Sequence, residues 1–155
     1  MRPQGPLHGI RFRAVALGVV VDHVATMVFA TLLVTILGGE DLLSGDETVV
    51  AAAFQALAGS TDYLVSALLG GLICTVLAGF IGARYAGAHH VRHGAWIAAV
   101  SVTVVFVLYP GDLSGGLSWF ETMGWLLQLP AGMLGGALAL WSEGAADDAA
   151  GEPAS

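Results

Sequence analysis

Long apolar stretches separated by short polar ones dominate the chain. A helix needs about 20 residues to cross the membrane hydrocarbon. Stretches at about residues 14–37, 63–83, 95–109 and 122–141 approach or reach that length, and they predict four transmembrane helices. The third is short, so its first turn is expected to start before Gly94, and Pro110-Gly111 should end it. Between the first two spans, Ser44-Gly45-Asp46-Glu47 has the Ser-x-x-Glu spacing of a capping box. Val49, Val50, Ala53, Phe54 and Leu57 then share one helical face. This segment is too short to span. It predicts a small helix lying on the outer interface or over the mouth of the bundle, broken by Gly59-Ser60-Thr61.

Charge orients these elements. All five cations are arginines: Arg2, Arg11 and Arg13 before the first span, Arg84 and Arg92 between the second and third. Basic loops stay on the cytoplasmic side. An even number of spans separates the two clusters, so they agree, and both termini are expected to be cytoplasmic. Seven acids (Glu40, Asp41, Asp46, Glu47, Asp62, Asp112 and Glu121) fall in the two segments on the opposite side. Glu143, Asp147, Asp148 and Glu152 fall in the tail. Phe12, Tyr85, Trp96 and Trp141 would mark the inner interface, and Tyr63, Tyr109, Trp119 and Trp125 the outer one. The fold expected is therefore an all-α integral membrane four-helix bundle with a short interfacial helix in its first outer loop. It comprises a basic N-terminus (1–13), a four-span domain (14–141) and an acidic, Ala- and Gly-rich disordered tail (142–155). The first span is read as retained rather than as a cleaved signal, because it is long and contains Asp22-His23.

Composition agrees with a membrane setting and narrows the chemistry. The 155 residues are 56% hydrophobic and only 11% charged, too few charges to cover a soluble surface. The formal charge of −7 is spread over loops and tail with no basic groove, which argues against nucleic acid as a partner. The single Cys74 excludes an intrachain disulfide and a cysteine-rich metal site. No Walker loop, G-x-S-x-G or H-E-x-x-H occurs, so no catalytic residue, cofactor or metal ligand is assigned. His89 and His93 have i, i+4 spacing. No neighbouring carboxylate or Cys in their loop completes a metal site, so headgroup contact is the simpler role.

The 22 glycines point to close helix packing. Gly70, Cys74, Ala78 and Gly82 recur every fourth residue in the second span, beside Gly71, Thr75 and Gly79. Gly132 and Gly136 form a small-xxx-small pair in the fourth, beside Ala131, Gly135 and Ala139. Such stripes serve packing of the second span on the fourth, or alternatively a dimer seam or a sliding surface in a transporter. Packing within one chain is the expectation. Pro130 interrupts the fourth span and frees the Leu126 carbonyl, with Gln128 nearby; membrane bundles tolerate such prolines as ordinary structure.

Asp22 is the acid inside a span, roughly 12 Å below the inner boundary. A carboxylate there is costly unless paired or protonated. Counting equal depth along the other spans assembles a candidate polar layer of Asp22, Thr26, Thr75, Ser101 and Thr103, near Cys74 and Gly132. The layer can be satisfied by its own hydrogen bonds. Its functional alternative makes Asp22 a proton or cation carrier. His23 points about 100° away from Asp22.

The stretch Gly70-Gly71 through Ala78-Gly79, followed by a basic turn and His93-Gly94-Ala95, resembles small bacterial four-span membrane proteins of unknown function. Gly18-x-x-x-Asp22 is similar to the start of their first span. The resemblance implies a multi-pass protein of a bacterial inner membrane and no activity. Small multidrug-resistance exporters also have four spans and a carboxylate in the first helix. This chain differs in being longer, in having Asp rather than Glu, and in its extra outer helix. The function expected is a non-enzymatic structural or interaction component, its partners being the lipid bilayer and possibly a second copy or another membrane protein. The alternative is a proton-coupled small-solute transporter or channel-like oligomer using Asp22.

Overall fold

A computed structural model describes residues 9–108 and 118–150, with side chains placed up to residue 144. Among the described residues the chain is helical and contains no strand. The helices are α1 (Phe12–Gly38), α2 (Glu47–Gly59), α3 (Thr61–Ala86), α4 (His90–Leu108) and α5 (Trp119–Ala150), with a 3-10 turn at Gly39–Leu43 after α1. Four of them, α1, α3, α4 and α5, are long and apolar enough to cross a membrane, which marks a multi-pass membrane protein. Arg2, Tyr109, Pro110-Gly111, Asp112 and residues 151–155 lie outside the described residues, as do the side chains of Asp147 and Asp148.

The boundaries follow local chemistry. Gly87 closes α3 in the left-handed conformation (φ 64°), and its N–H reaches the Ala83 and Arg84 carbonyls, a C-terminal geometry that glycine adopts without a Cβ clash. α4 begins at His90, one turn before Gly94, which lengthens the short third stretch. α5 continues to Ala150, where the sequence pattern ends the span near Trp141 and starts a disordered tail. The Ala-rich composition of that segment favours continuing the helix.

One cap differs from expectation and a second was not anticipated. The N-cap of α2 is Asp46, whose carboxylate accepts from the Thr48 N–H at 2.8 Å and from its hydroxyl at 2.7 Å. Ser44 instead accepts from the Asp46 N–H at 3.2 Å and holds the approach to the cap. The reciprocal capping box stands at α5. Ser118 Oγ accepts from the Glu121 N–H at 3.2 Å, and the Glu121 carboxylate accepts from the Ser118 N–H at 2.8 Å. Glu121 therefore has a structural role beyond outer-loop charge. In α2, Leu57 is buried and Val50 and Ala53 are partly covered, whereas Val49 and Phe54 are exposed. Its inward face is narrower than the apolar pattern suggests.

The spans run alternately up and down. The N-terminal ends of α1 and α4 and the C-terminal ends of α3 and α5 meet at one end, joined by Arg11–His93 and His90–Glu143 contacts. α3 and α4 form the central pair. Among the described residues, α1 and α5 each pack on both of them but not on each other. The core is built around Val15, Ala78 and Ile97, with Val19, Trp96 and Val100 against it. Trp96, expected at a membrane boundary, thus serves the core. Phe12, Tyr85, Trp119 and Trp141 are exposed, and Trp125 lies against Phe106 with ring centroids 4.4 Å apart.

Candidate functional site

Glycine contacts set the helix rotations that build the interior. Gly132 of α5 is wedged between Gly79 of α3 and Gly94 of α4. A Cβ on Gly79 would lie 2.6 Å from the Gly132 carbonyl oxygen, and one on Gly94 would collide with the same oxygen. Gly136 rests on the His90 backbone and Gly135 on Val76 to Phe80. The seams at Ala78, Gly79, Gly82, Gly132 and Gly136 are consumed inside one chain, though not by a single helix pair. Gly70 receives the Phe29 ring of α1, and Gly82 meets Ala14, Gly18 and Ile97. A Cβ on Gly71 would meet no described atom within 4 Å; Gly71 lines a cavity. Gly94, read from the sequence only as a helix start, is one of the tightest contacts.

Gly18 on α1, Ile97 on α4 and Gly82 on α3 touch one another. α1 and α4 run parallel, so one turn further along both brings Asp22 and Ser101 to a common level, opposite Ala78 and Thr75 of the antiparallel α3. There Asp22 is 3% exposed, and the Thr75 hydroxyl donates to its Oδ1 at 2.9 Å. The Gly71 carbonyl also lies 3.2 Å from that hydroxyl. Ser101 is fully buried, and its Oγ has no hydrogen-bond partner among the described residues.

The expected layer is therefore only partly assembled. Asp22, Thr75 and Ser101 share one buried level. Thr26, one turn beyond Asp22, is exposed in the bare protein and lines the cavity above. Thr103 leaves the layer altogether. It is exposed, its hydroxyl bonds back to the Ala99 carbonyl at 2.8 Å, and it faces a hollow on the outer side of α4 with Val100, Val104 and Leu108. Counting depth cannot detect this, because Ser101 and Thr103 are two residues apart and point about 160° apart around the helix. His23 turns from Asp22 as expected. Its Nδ1 bonds the Val19 carbonyl at 2.9 Å, leaving Nε2 buried without a partner among the described residues.

A cavity of ≈ 220 Å³ opens above this level between the four spans. Thr75 lies in its floor; Thr26, Gly71 and Gln128 line its walls. The absence of packing between the described parts of α1 and α5 leaves the space, and Gly71 keeps it open. Pro130 faces outward.

At the other end, His93 is fully buried. Its Nε2 accepts the Arg11 backbone N–H at 3.0 Å, and its Nδ1 lies 3.1 Å from the His89 carbonyl. These partners select the Nδ1–H tautomer, with Nδ1 donating and Nε2 accepting. His90 Nε2 lies 3.0 Å from a Glu143 carboxylate oxygen, so a carboxylate does reach the histidine turn. It comes from the C-terminal segment, far from the histidines in sequence. Among the described residues, no three His, Cys, Asp or Glu side chains converge as a metal site. No family model, curated protein or solved structure matches the chain.

Proposed function

We propose that the chain is a non-enzymatic multi-pass component of a bacterial inner membrane, acting as a structural or interaction element. The arginine-bearing end and both termini face the cytoplasm, and α2 lies against the outer interface. The observation supporting this is the unequal coverage of the spans. In the most apolar window of α1 only 6% of residues are buried, against 28% in each of the other three. Val20, Val24, Met27, Val28, Leu32 and Ile36 form a long exposed flank, available to lipid, a second copy or another membrane protein. Disulfide crosslinking of single cysteines at Val28 and Leu32, in a Cys74→Ala background, tests the homodimer. A crosslinked dimer in native membranes that persists on dilution with lipid supports it; monomer at every position leaves α1 facing lipid and removes the dimer.

A second reading, proton-coupled passage of a small solute or ion through Asp22, is favoured by one feature. Thr75, the hydroxyl donor to Asp22, is also in the floor of the cavity, so a solute there would sit one hydrogen bond from the carboxylate. Asp22→Asn would then abolish proton-coupled flux in liposomes while leaving the fold intact. If the wild type carries no flux across a broad solute panel and Asp22→Asn only shifts melting, this second reading is dropped.

A further inference from the structure

We propose that Arg11, Phe12, Arg13 and Tyr85 form a binding site for the phosphate of an anionic membrane lipid. The four residues surround an open hollow of ≈ 670 Å³ where α1 begins and α3 ends. The membrane-spanning segment of α1 starts at Phe12, so the hollow lies where apolar chain gives way to headgroups. That level favours a tyrosine ring, apolar with a polar tip, and Phe12 adds a purely apolar face beside it. Phe12 is 71% and Tyr85 60% exposed.

The charge in this hollow is uncommitted. Among the described residues the Arg11 and Arg13 side chains make no ion pair or hydrogen bond. Arg84, by contrast, lies over the Phe80 ring at 6.0 Å, and Arg92 is engaged elsewhere. No acid among the described residues lines the hollow. Two guanidinium groups there present forked donors suited to phosphate oxygens. The first-turn amides of α1 add positive potential at the same end.

The site is also held in shape. The Arg11 N–H is tied to the buried His93 of α4, and the Arg11 carbonyl accepts from the Ala14 and Val15 amides at 3.0 and 3.2 Å. The backbone carrying both arginines is thereby fixed relative to α4 rather than trailing as a loose basic arm. A lipid is the better occupant than free phosphate, because the aromatic half of the hollow would lie against glycerol and acyl groups.

The test uses the full chain in a neutral detergent, with phosphatidylglycerol, phosphatidylcholine or inorganic phosphate added, read by native mass spectrometry and by melting temperature. Phosphatidylglycerol should be retained and stabilising, more so at low salt; phosphatidylcholine should be retained far less. Arg11→Gln with Arg13→Gln should weaken phosphatidylglycerol retention roughly 30-fold, about fivefold for each arginine, with helicity unchanged. Tyr85→Leu, which leaves charge and capping intact, should weaken it by a smaller factor. Equal retention of the two lipids, unaltered retention by the double variant, or displacement of phosphatidylglycerol by equimolar inorganic phosphate would each overturn the proposal.

Discussion

The backbone N–H of Arg11, at the start of α1, donates to Nε2 of His93 in the first turn of α4 at 3.0 Å. His93 is fully buried, so one imidazole both satisfies an orphan amide at the end of one span and ties that span to the next. His93→Leu leaves the Arg11 amide without its acceptor. A loss of about 1–3 kcal/mol is expected, read as a lower midpoint in thermal or denaturant unfolding in detergent. His93→Gln, whose amide oxygen can accept the same bond, should recover part of it. Equal stability of the leucine variant and the wild type would show that this bond does not hold α1.

The glycine contacts around α5 predict opposite outcomes for one chemical change. Gly132→Ala and Gly94→Ala push a methyl group into backbone of a neighbouring helix and should each destabilise by about 1–3 kcal/mol or more. Gly71→Ala meets nothing within 4 Å and should be neutral or stabilising, by up to about 1 kcal/mol through helix propensity. Melting of the three variants side by side in one detergent separates close packing from general glycine content.

Asp22 and Ser101 are treated differently by their surroundings, and substitution should reveal it. Thr75→Val removes the hydroxyl that donates to Asp22 and should cost about 1–3 kcal/mol, with Thr75→Ser largely restoring stability. Ser101→Ala deletes a buried hydroxyl that lacks a partner among the described residues and should be neutral or stabilising. Marked destabilisation by Ser101→Ala would mean that the hydroxyl is bound to something in the membrane-embedded protein.

The cap of α2 carries a pH dependence. Hydrogen bonds from the Thr48 hydroxyl and backbone hold the Asp46 carboxyl below its ordinary value of 3.8. A depressed folded-state pKa gives stability that is present above the unfolded value and lost as pH falls through the folded one. Amide exchange at Thr48 and Val50 should therefore stay protected from neutral pH down to the ordinary carboxylate value, then quicken beyond the intrinsic pH trend as further acid titrates the lowered group. Asp46→Ala should show the unprotected rate throughout.

Much of this architecture is legible along the chain because crossing a bilayer is a local, additive requirement. Length and apolarity alone select the four spans, and the Ser-x-x-Glu pattern at Ser118 marks the start of α5 in the sequence itself. The place of Asp22 along its helix is legible too, since rise per residue is constant. Rotation of each helix about its axis is not. The spans are apolar on nearly every side, so no polar face announces which residues turn inward. Contacts such as Gly18 with Ile97, and Gly132 between Gly79 and Gly94, decide that Ser101 faces the interior while Thr103 faces out, and that Gly71 borders a cavity while Gly70 receives Phe29. The pairing of His90 with Glu143 likewise needs α5 to return to the end where α4 begins. The sequence by itself determined the number and order of the spans, because each helix satisfies its own backbone in an apolar medium. Only the tertiary structure decided which side chains meet, because that depends on how closely separate backbones approach.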